Sequence, residues 1–99
     1  MRDSLEELRN QIDQVDRSMR LLFLRRMALV KEVGALKASL GKAVYDPDRE
    51  AAILKSGAEE VPDALRAYYS SFQKELMALS RAYQEALTKE RGGEESLDA

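Results

Sequence analysis

The first 40 residues carry one continuous helical pattern of apolar side chains. Apolar residues recur at alternating spacings of three and four positions, with one gap, which places them on a single stripe of an α-helix. They are Leu5, Leu8, Ile12, Val15, Met19, Leu22, Leu29, Val33, Leu36 and Leu40. No proline interrupts this stretch, so the pattern predicts one helix from about Asp3 to about Leu40. At 1.5 Å per residue that helix would be roughly 55 Å long. The rest of so short a chain could not cover a helix of that length by folding back along it once.

A short second helix and a longer third helix are predicted downstream. Gly41 is a stop signal for the first helix, and Asp46 followed by Pro47 supplies an N-cap with proline at the first helical position. The second helix should end around Gly57. A third helix opens at Pro62 and shows apolar and aromatic residues at helical spacing. They are Leu65, Tyr68, Tyr69, Phe72, Leu76, Leu79, Tyr83 and Leu87.

These patterns predict one all-α domain over residues 1–90. The third helix should run to about Glu90, and residues 91–99, which include Gly92 and Gly93, have no apolar periodicity. That segment is typical of a disordered tail or of a linker stump to another domain. No β pattern and no internal repeat is present. A core of this size is only marginally sufficient by itself, so a partner subunit would add stability.

The composition excludes several classes of chemistry. The 99 residues include no cysteine and no histidine, which removes disulfides, thiolate nucleophiles, the usual zinc ligands and the commonest general base. No metal and no cofactor is therefore expected. The formal charge of −2 gives no indication of nucleic-acid or membrane binding, and no apolar run approaches the roughly 20 residues that span a bilayer. The charged N-terminus is unlike a secretory signal, so a cytoplasmic location is expected.

One charged residue interrupts the apolar stripe of the first helix. Arg26 occupies the gap between Leu22 and Leu29, where the alternation requires an apolar side chain. A buried guanidinium without a partner is costly, so it must meet a carboxylate of the protein, water or a ligand. A structural salt bridge, a residue that sets the register and a ligand-binding residue all fit this pattern.

A second set of charges borders that stripe. Arg9, Asp16 and Lys37 are separated by multiples of seven positions, so they share one line along the helix beside the apolar residues. Charges in such positions form ion pairs between helices more often than they bind ligands. From spacing alone, interhelical ion pairs are therefore the ordinary interpretation.

The later helices carry two more candidate pairs. Ser80 and Gln84 are four positions apart and share a face of the third helix near its core. Arg49 and Glu50 lie in the first turn of the second helix, where charged surface residues are ordinary. Ser80 and Gln84 can be explained as a polar pair whose hydrogen bonds are satisfied within the protein. Arg49 and Glu50 can be explained as an ordinary solvated helix end, so neither pair requires a ligand.

Taken together, these residues resemble the AroQ-class, all-α chorismate mutases from about Leu5 to about Leu87. Family patterns appear in the same order and on the same three predicted helices. They are L-R-x-x-I-D-x-x-D at residues 8–16, R-R at 25–26, V-x-x-V-G-x-x-K at 30–37, D-x-x-R-E at 46–50 and S-x-x-x-Q at 80–84. Each fragment alone is weak, whereas their combination and separations are specific to this family.

The resemblance implies a set of residues that bind the substrate's carboxylates. Arg26 and Arg49 would bind the two carboxylates of chorismate, with help from Ser80. Arg9 would reach into the site from the other subunit. Arginine suits this role because its planar fork can meet a carboxylate with two parallel hydrogen bonds.

The resemblance also implies which residues face the reacting bond and the ring. Lys37 and Gln84 would donate hydrogen bonds to the ether oxygen whose bond to the ring breaks. Glu50 would accept a hydrogen bond from the ring hydroxyl, with Asp46 close to the same hydroxyl. Three further residues would shape the site: Asp16, Val33 and Ile53.

The implied protein is an isomerase that converts chorismate to prephenate for phenylalanine and tyrosine biosynthesis. The implied architecture is an intertwined homodimeric helical bundle whose long first helices pair along the apolar stripe, with two equivalent sites. Isochorismate pyruvate lyase resembles the same family and is the closest alternative, although Glu50 within the intact segment 46–50 favours the mutase. A non-catalytic helical dimerisation or regulatory domain, part of a fused enzyme of aromatic biosynthesis, is the other alternative.

Overall fold

The computed structural model describes the backbone of residues 4–98 and the side chains of residues 4–90. It contains three α-helices in the order α1 (Ser4–Ser39), α2 (Pro47–Glu59) and α3 (Asp63–Asp98), and no strand within that part of the chain. The predicted all-α class and the sequence of long, short and long helices are therefore confirmed. No described helix combines the length and the apolar character that crossing a membrane requires.

The end of α1 is set by a glycine in a left-handed conformation. Gly41 has φ 68°, a conformation that side chains with a Cβ rarely adopt. Its N–H donates to the Ala38 carbonyl at 3.2 Å, and the N–H of Lys42 donates to the Lys37 carbonyl at 2.8 Å. These two bonds form a Schellman motif, which satisfies carbonyls at the helix end and turns the chain toward α2.

The start of α2 is set by Asp46 and Pro47. The Asp46 side chain accepts a hydrogen bond from the Arg49 backbone N–H at 3.0 Å, and Pro47 occupies the first turn. This cap stabilises the start of α2 because it satisfies a backbone donor that has no partner within the helix. The helix ends at Glu59, two residues beyond the predicted end at Gly57.

The predicted end of α3 near Glu90 is wrong. The helical backbone continues to Asp98, through residues 91–98 of the segment that was expected to form a disordered tail. Gly92 and Gly93 disfavour a helix by roughly 1 kcal/mol each relative to alanine. No proline follows them, and extending an existing helix avoids the cost of nucleation, which explains why two glycines do not end it.

The three helices form a flat, elongated chain with very little core. α3 packs against both α1 and α2, and the principal dimensions are 68 × 30 × 15 Å. Met77 is the one buried apolar side chain in the described range, at 4% exposed. The ten apolar residues of the stripe are 47–63% exposed, so no element of the described part of the chain covers this stripe.

Candidate functional site

A cavity of about 220 Å³ lies where α1, α2 and α3 meet. Seven of the eight residues implied as site residues line it: Arg26, Lys37, Asp46, Arg49, Glu50, Ser80 and Gln84. Val33 and Ile53, which were expected to shape the site, line the same cavity. The Schellman turn after α1 and the cap of α2 fix the loop that carries Asp46, while α3 supplies the opposite wall.

Arg26 points from α1 toward α3 and meets a hydroxyl rather than a carboxylate. Its guanidinium donates a hydrogen bond to Ser80 Oγ at 2.5 Å, and the Ser80 hydroxyl donates to the Leu76 carbonyl at 2.8 Å. Among the residues whose side chains are described, none forms a salt bridge with Arg26. A structural ion pair within this part of the chain is therefore not what holds Arg26 in the apolar stripe, and most of its donors remain for another partner.

Lys37 and Gln84 are each oriented by one backbone carbonyl. Lys37 Nζ donates to the Val44 carbonyl at 3.0 Å, and Gln84 Nε2 donates to the Val30 carbonyl at 2.9 Å. An ammonium group has three donor hydrogens and a carboxamide has two, so each side chain keeps at least one donor for a ligand. Both residues line the cavity, which makes them fixed donors with spare capacity.

Gln84 also depends on close packing against α1. A methyl group built on Gly34 would lie 3.1 Å from Gln84 Cγ, tighter than ordinary van der Waals contact. Gly34 is the buried residue of α1, and Gln84 itself is 7% exposed. The glycine of the motif at 30–37 therefore leaves the room in which the Gln84 side chain lies.

The acidic side of the cavity includes an arginine that the sequence reasoning missed. Arg81 on α3 lines the cavity and forms a salt bridge with Glu50, donating from one guanidinium nitrogen to both carboxylate oxygens. Its guanidinium also lies over the ring of Tyr45, 5.1 Å from the centroid. The hydrogen bond with Glu50 raises the pKa of Arg81 above its already high usual value. In the sequence, Arg81 differs from any solvated charge only in following Ser80 within the S-x-x-x-Q pattern.

The charges around the cavity leave an excess of two positive charges. The cationic lining residues are Arg26, Lys37, Arg49 and Arg81, and the anionic ones are Asp46 and Glu50. Four against two gives a formal balance of +2, concentrated in a small space between helices. Such a site favours a compact ligand with two negative charges.

Two expected residues lie elsewhere in the chain. Arg9 is 17 positions before Arg26 on the same helix, which is about 25 Å along its axis. Asp16 lines a larger apolar groove of about 620 Å³ between α1 and α3, which shares Arg26 with the cavity. Within the described side chains, no group of three acidic residues is arranged to hold a metal ion.

Comparisons of this chain with other proteins point to a single family. Residues 8–85 match the family described as chorismate mutase type II. A T-protein of Enterobacter agglomerans is 45% identical over 56 residues, which is 57% of this chain and 15% of the relative. A T-protein of Haemophilus influenzae is 41% identical over 54 residues, 54% of this chain and 14% of the relative. The matched region thus spans about a seventh of the length of these T-proteins.

Two further matches are named for chorismate mutase itself. The chorismate mutase of Methanocaldococcus jannaschii is 38% identical over 50 residues, half of each chain. The solved structure of chorismate mutase (form II) from Thermus thermophilus superposes with a TM-score of 0.81 at 31% identity, covering 84% of this chain and 96% of that one. The family match covers most of the chain and includes the cavity, and this chain therefore belongs to the type II chorismate mutase family.

Proposed function

We propose that the cavity binds chorismate and catalyses its rearrangement to prephenate. The observation that supports this proposal is the formal excess of two positive charges in a cavity of about 220 Å³. Chorismate is a small dicarboxylate, so its charge and compactness match that balance. The reaction is intramolecular: the ether C–O bond breaks while a new C–C bond forms, and no proton, electron or external group is transferred.

Two arginines would bind the two carboxylates. Arg26 has no carboxylate partner within the described part of the chain, and Arg49 is exposed at the mouth of the cavity, on the first turn of α2. Ser80 already accepts from Arg26 and would hold that guanidinium in a fixed direction. Binding both carboxylates selects the compact conformer in which the reacting carbons approach each other.

Lys37 and Gln84 would stabilise the bond that breaks. Negative charge develops on the ether oxygen as the C–O bond lengthens, and prealigned donors lower the energy of that state more than the energy of the bound substrate. Each of the two side chains is held by a backbone carbonyl, at 3.0 Å for Lys37 and 2.9 Å for Gln84. Neither has to reorganise during the reaction.

Glu50 would accept the hydrogen bond of the ring hydroxyl, with Asp46 nearby. Both carboxylates line the cavity on the side of α2. One oxygen of Asp46 accepts from the cap of α2 and both oxygens of Glu50 accept from Arg81, so the ring hydroxyl would use the remaining lone pairs of these carboxylates. A carboxylate at this place also favours a substrate whose hydroxyl points toward α2.

The proposed reaction is tested by incubating the purified chain with chorismate. We expect the absorbance of chorismate to fall and prephenate to accumulate in equal amount. Isochorismate is the matched alternative substrate, and release of pyruvate and salicylate from it, without prephenate from chorismate, would assign the chain to the lyase. Absence of turnover with both substrates would favour a non-catalytic helical domain.

Gly34→Ala should reduce turnover without destabilising the fold. The added methyl would lie 3.1 Å from Gln84 Cγ, so the Gln84 side chain must shift by a few tenths of an ångström, which strains its bond with the Val30 carbonyl. Because complete removal of one such donor costs about 10²–10³-fold, we expect a small shift to lower kcat by less, on the order of threefold to tenfold. Alanine favours a helix over glycine by roughly 1 kcal/mol, which offsets the tighter packing. Steady-state kinetics and thermal unfolding measure the two effects; a normal kcat would contradict the role of Gly34.

A homodimer is the assembly we infer for this chain. Its accessible surface is 8182 Å², whereas a compact monomer of 11.2 kDa exposes about 5,700 Å². The excess, on the order of 2,500 Å² per chain and so about 5,000 Å² for two chains, lies at the upper end of the range that obligate dimers bury. The exposed apolar stripe of α1 would be covered by the α1 helix of a second copy.

Arg9 would complete the site of the opposite subunit. On this proposal, mixing an Arg9→Ala chain with an Arg26→Ala chain restores activity, because half of the sites in each mixed dimer then contain both arginines. With random exchange of subunits, about a quarter of all sites should be intact. The activity of the mixture after refolding together is compared with each variant alone. No recovery in a mixture shown to contain mixed dimers would contradict a site shared between subunits.

The expected cytoplasmic location and the division into a domain at 1–90 and a separate segment at 91–99 stay predictions. Fractionating the source cells would check the location. Removing residues 91–99 and measuring stability and turnover would check the division of the chain.

A further inference from the structure

Arg81 lies at a meeting point of three parts of the chain. It is on α3, its guanidinium bonds both carboxylate oxygens of Glu50 in the first turn of α2, and it covers the ring of Tyr45 in the preceding loop. The side chains of Arg81 and Glu50 are 31% and 22% exposed, so water only partly screens their interaction. This contact is more specific than an ordinary surface ion pair.

The position of Glu50 depends on α3, because α3 is the helix against which α2 packs. α2 contains no buried residue, and within the described chain it packs against α3 and not against α1. At the other end of α2, Arg66 of α3 donates to the Ala58 carbonyl at 2.8 Å. Two arginines of α3 thus bond α2, one inside the cavity lining and one outside it.

We infer that Arg81 is a positioning residue that holds the Glu50 carboxylate in the direction needed to accept the substrate's ring hydroxyl. The inference rests on the function proposed above. An ionised carboxylate has about four acceptor sites, so a hydroxyl can still bond to Glu50 while Arg81 occupies one edge. Stacking on Tyr45 fixes the guanidinium, which in turn fixes the carboxylate.

Two other roles for Arg81 make different predictions. If Arg81 only tethers α2 to α3, loss of any bond between these helices should have the same effect, and Arg66 provides the comparison. If Arg81 contacts a carboxylate of the substrate directly, its removal should be harmful whether or not Glu50 is present. A residue that acts through Glu50 loses its effect once Glu50 is gone.

The experiment measures kcat and KM for chorismate in Arg81→Met, Arg81→Lys, Glu50→Gln and the double variant Arg81→Met/Glu50→Gln. We expect Arg81→Met to lower kcat by up to about 10²-fold, since a misplaced group in the site costs that much. Arg81→Lys should recover part of the loss. In the Glu50→Gln background, Arg81→Met should change kcat by less than about threefold.

Arg66→Met is the matched control and should leave kcat unchanged. Circular dichroism and thermal unfolding establish that each variant is folded, and Arg81→Lys carries the test if Arg81→Met does not fold. Three results would overturn the positioning role. They are an equal loss of kcat in Arg66→Met, an undiminished effect of Arg81→Met in the Glu50→Gln background, and a normal kcat in Arg81→Met. A wild-type chain that does not convert chorismate would instead refute the proposed function, and this inference with it.

Discussion

Arg26→Ala should abolish most of the activity while leaving the protein folded. We expect kcat/KM for chorismate to fall by about 10²–10⁴-fold, because two charge-assisted hydrogen bonds contribute about 1.5–3 kcal/mol each and each 1.36 kcal/mol is tenfold in rate. The variant removes one charge-assisted bond to Ser80 within the described chain, so the free energy of unfolding should fall by about 1.5–3 kcal/mol.

Arg25→Ala is the matched control for this prediction. Arg25 is the adjacent arginine of α1, it is exposed, and it does not line the cavity. Its replacement should change neither activity nor stability measurably. Both variants are unfolded at one fixed protein concentration, because the stability of the proposed dimer would depend on concentration. A loss of roughly 3–5 kcal/mol in Arg26→Ala with normal activity in the folded fraction would instead indicate a structural ion pair, one formed in the assembled protein.

Gln84→Glu should convert a pH-independent enzyme into one that works only in acid. The wild-type donor is a carboxamide, which offers its N–H at any ordinary pH, so we expect kcat to be nearly flat from about pH 5.5 to 9. A glutamate at this position donates only when it is protonated, and its reference pKa is about 4.3. Above the pKa of the introduced group, kcat should fall about tenfold per pH unit, since the ionised carboxylate faces the negative charge that develops on the ether oxygen.

The measurement is kcat against pH for wild type and Gln84→Glu. Gln73→Glu is a useful comparison, because Gln73 is a buried glutamine of the same helix that does not line the cavity. It should affect stability rather than the shape of the profile. A steep limb near neutrality in the wild type would mean that a different group titrates in the site, and the role given to Gln84 would be wrong.

The sequence predicts the helices well because their signals are local. The apolar period defines α1 and α3, and Gly41, Asp46 and Pro47 mark the ends that border the site, where the structure has a Schellman turn and a cap. The end of α3 is the exception. Two adjacent glycines indicate a helix end, although a helix that is already formed can continue through them at a modest cost.

The site is harder to predict from the sequence than the helices are, because it is made of contacts between helices. Spacing along the chain singles out Arg26 as anomalous, but it cannot distinguish a salt bridge from a ligand site. The family patterns supply the other residues, and the structure brings seven of the implied eight to one cavity. Arg81 was missed because its partner Glu50 is 31 positions away, and only the packing of α2 on α3 makes the two adjacent.

The central claim is that the cavity between the three helices, and not the larger groove between α1 and α3, binds the reacting molecule. A crystal structure of the protein with a bicyclic dicarboxylate mimic of the transition state tests it most directly. We predict one carboxylate at Arg26, the other at Arg49, and the ether oxygen within hydrogen-bond distance of Lys37 Nζ and Gln84 Nε2. A mimic bound in the groove lined by Asp16 and Phe23, with the cavity empty at saturating concentration, would contradict the account.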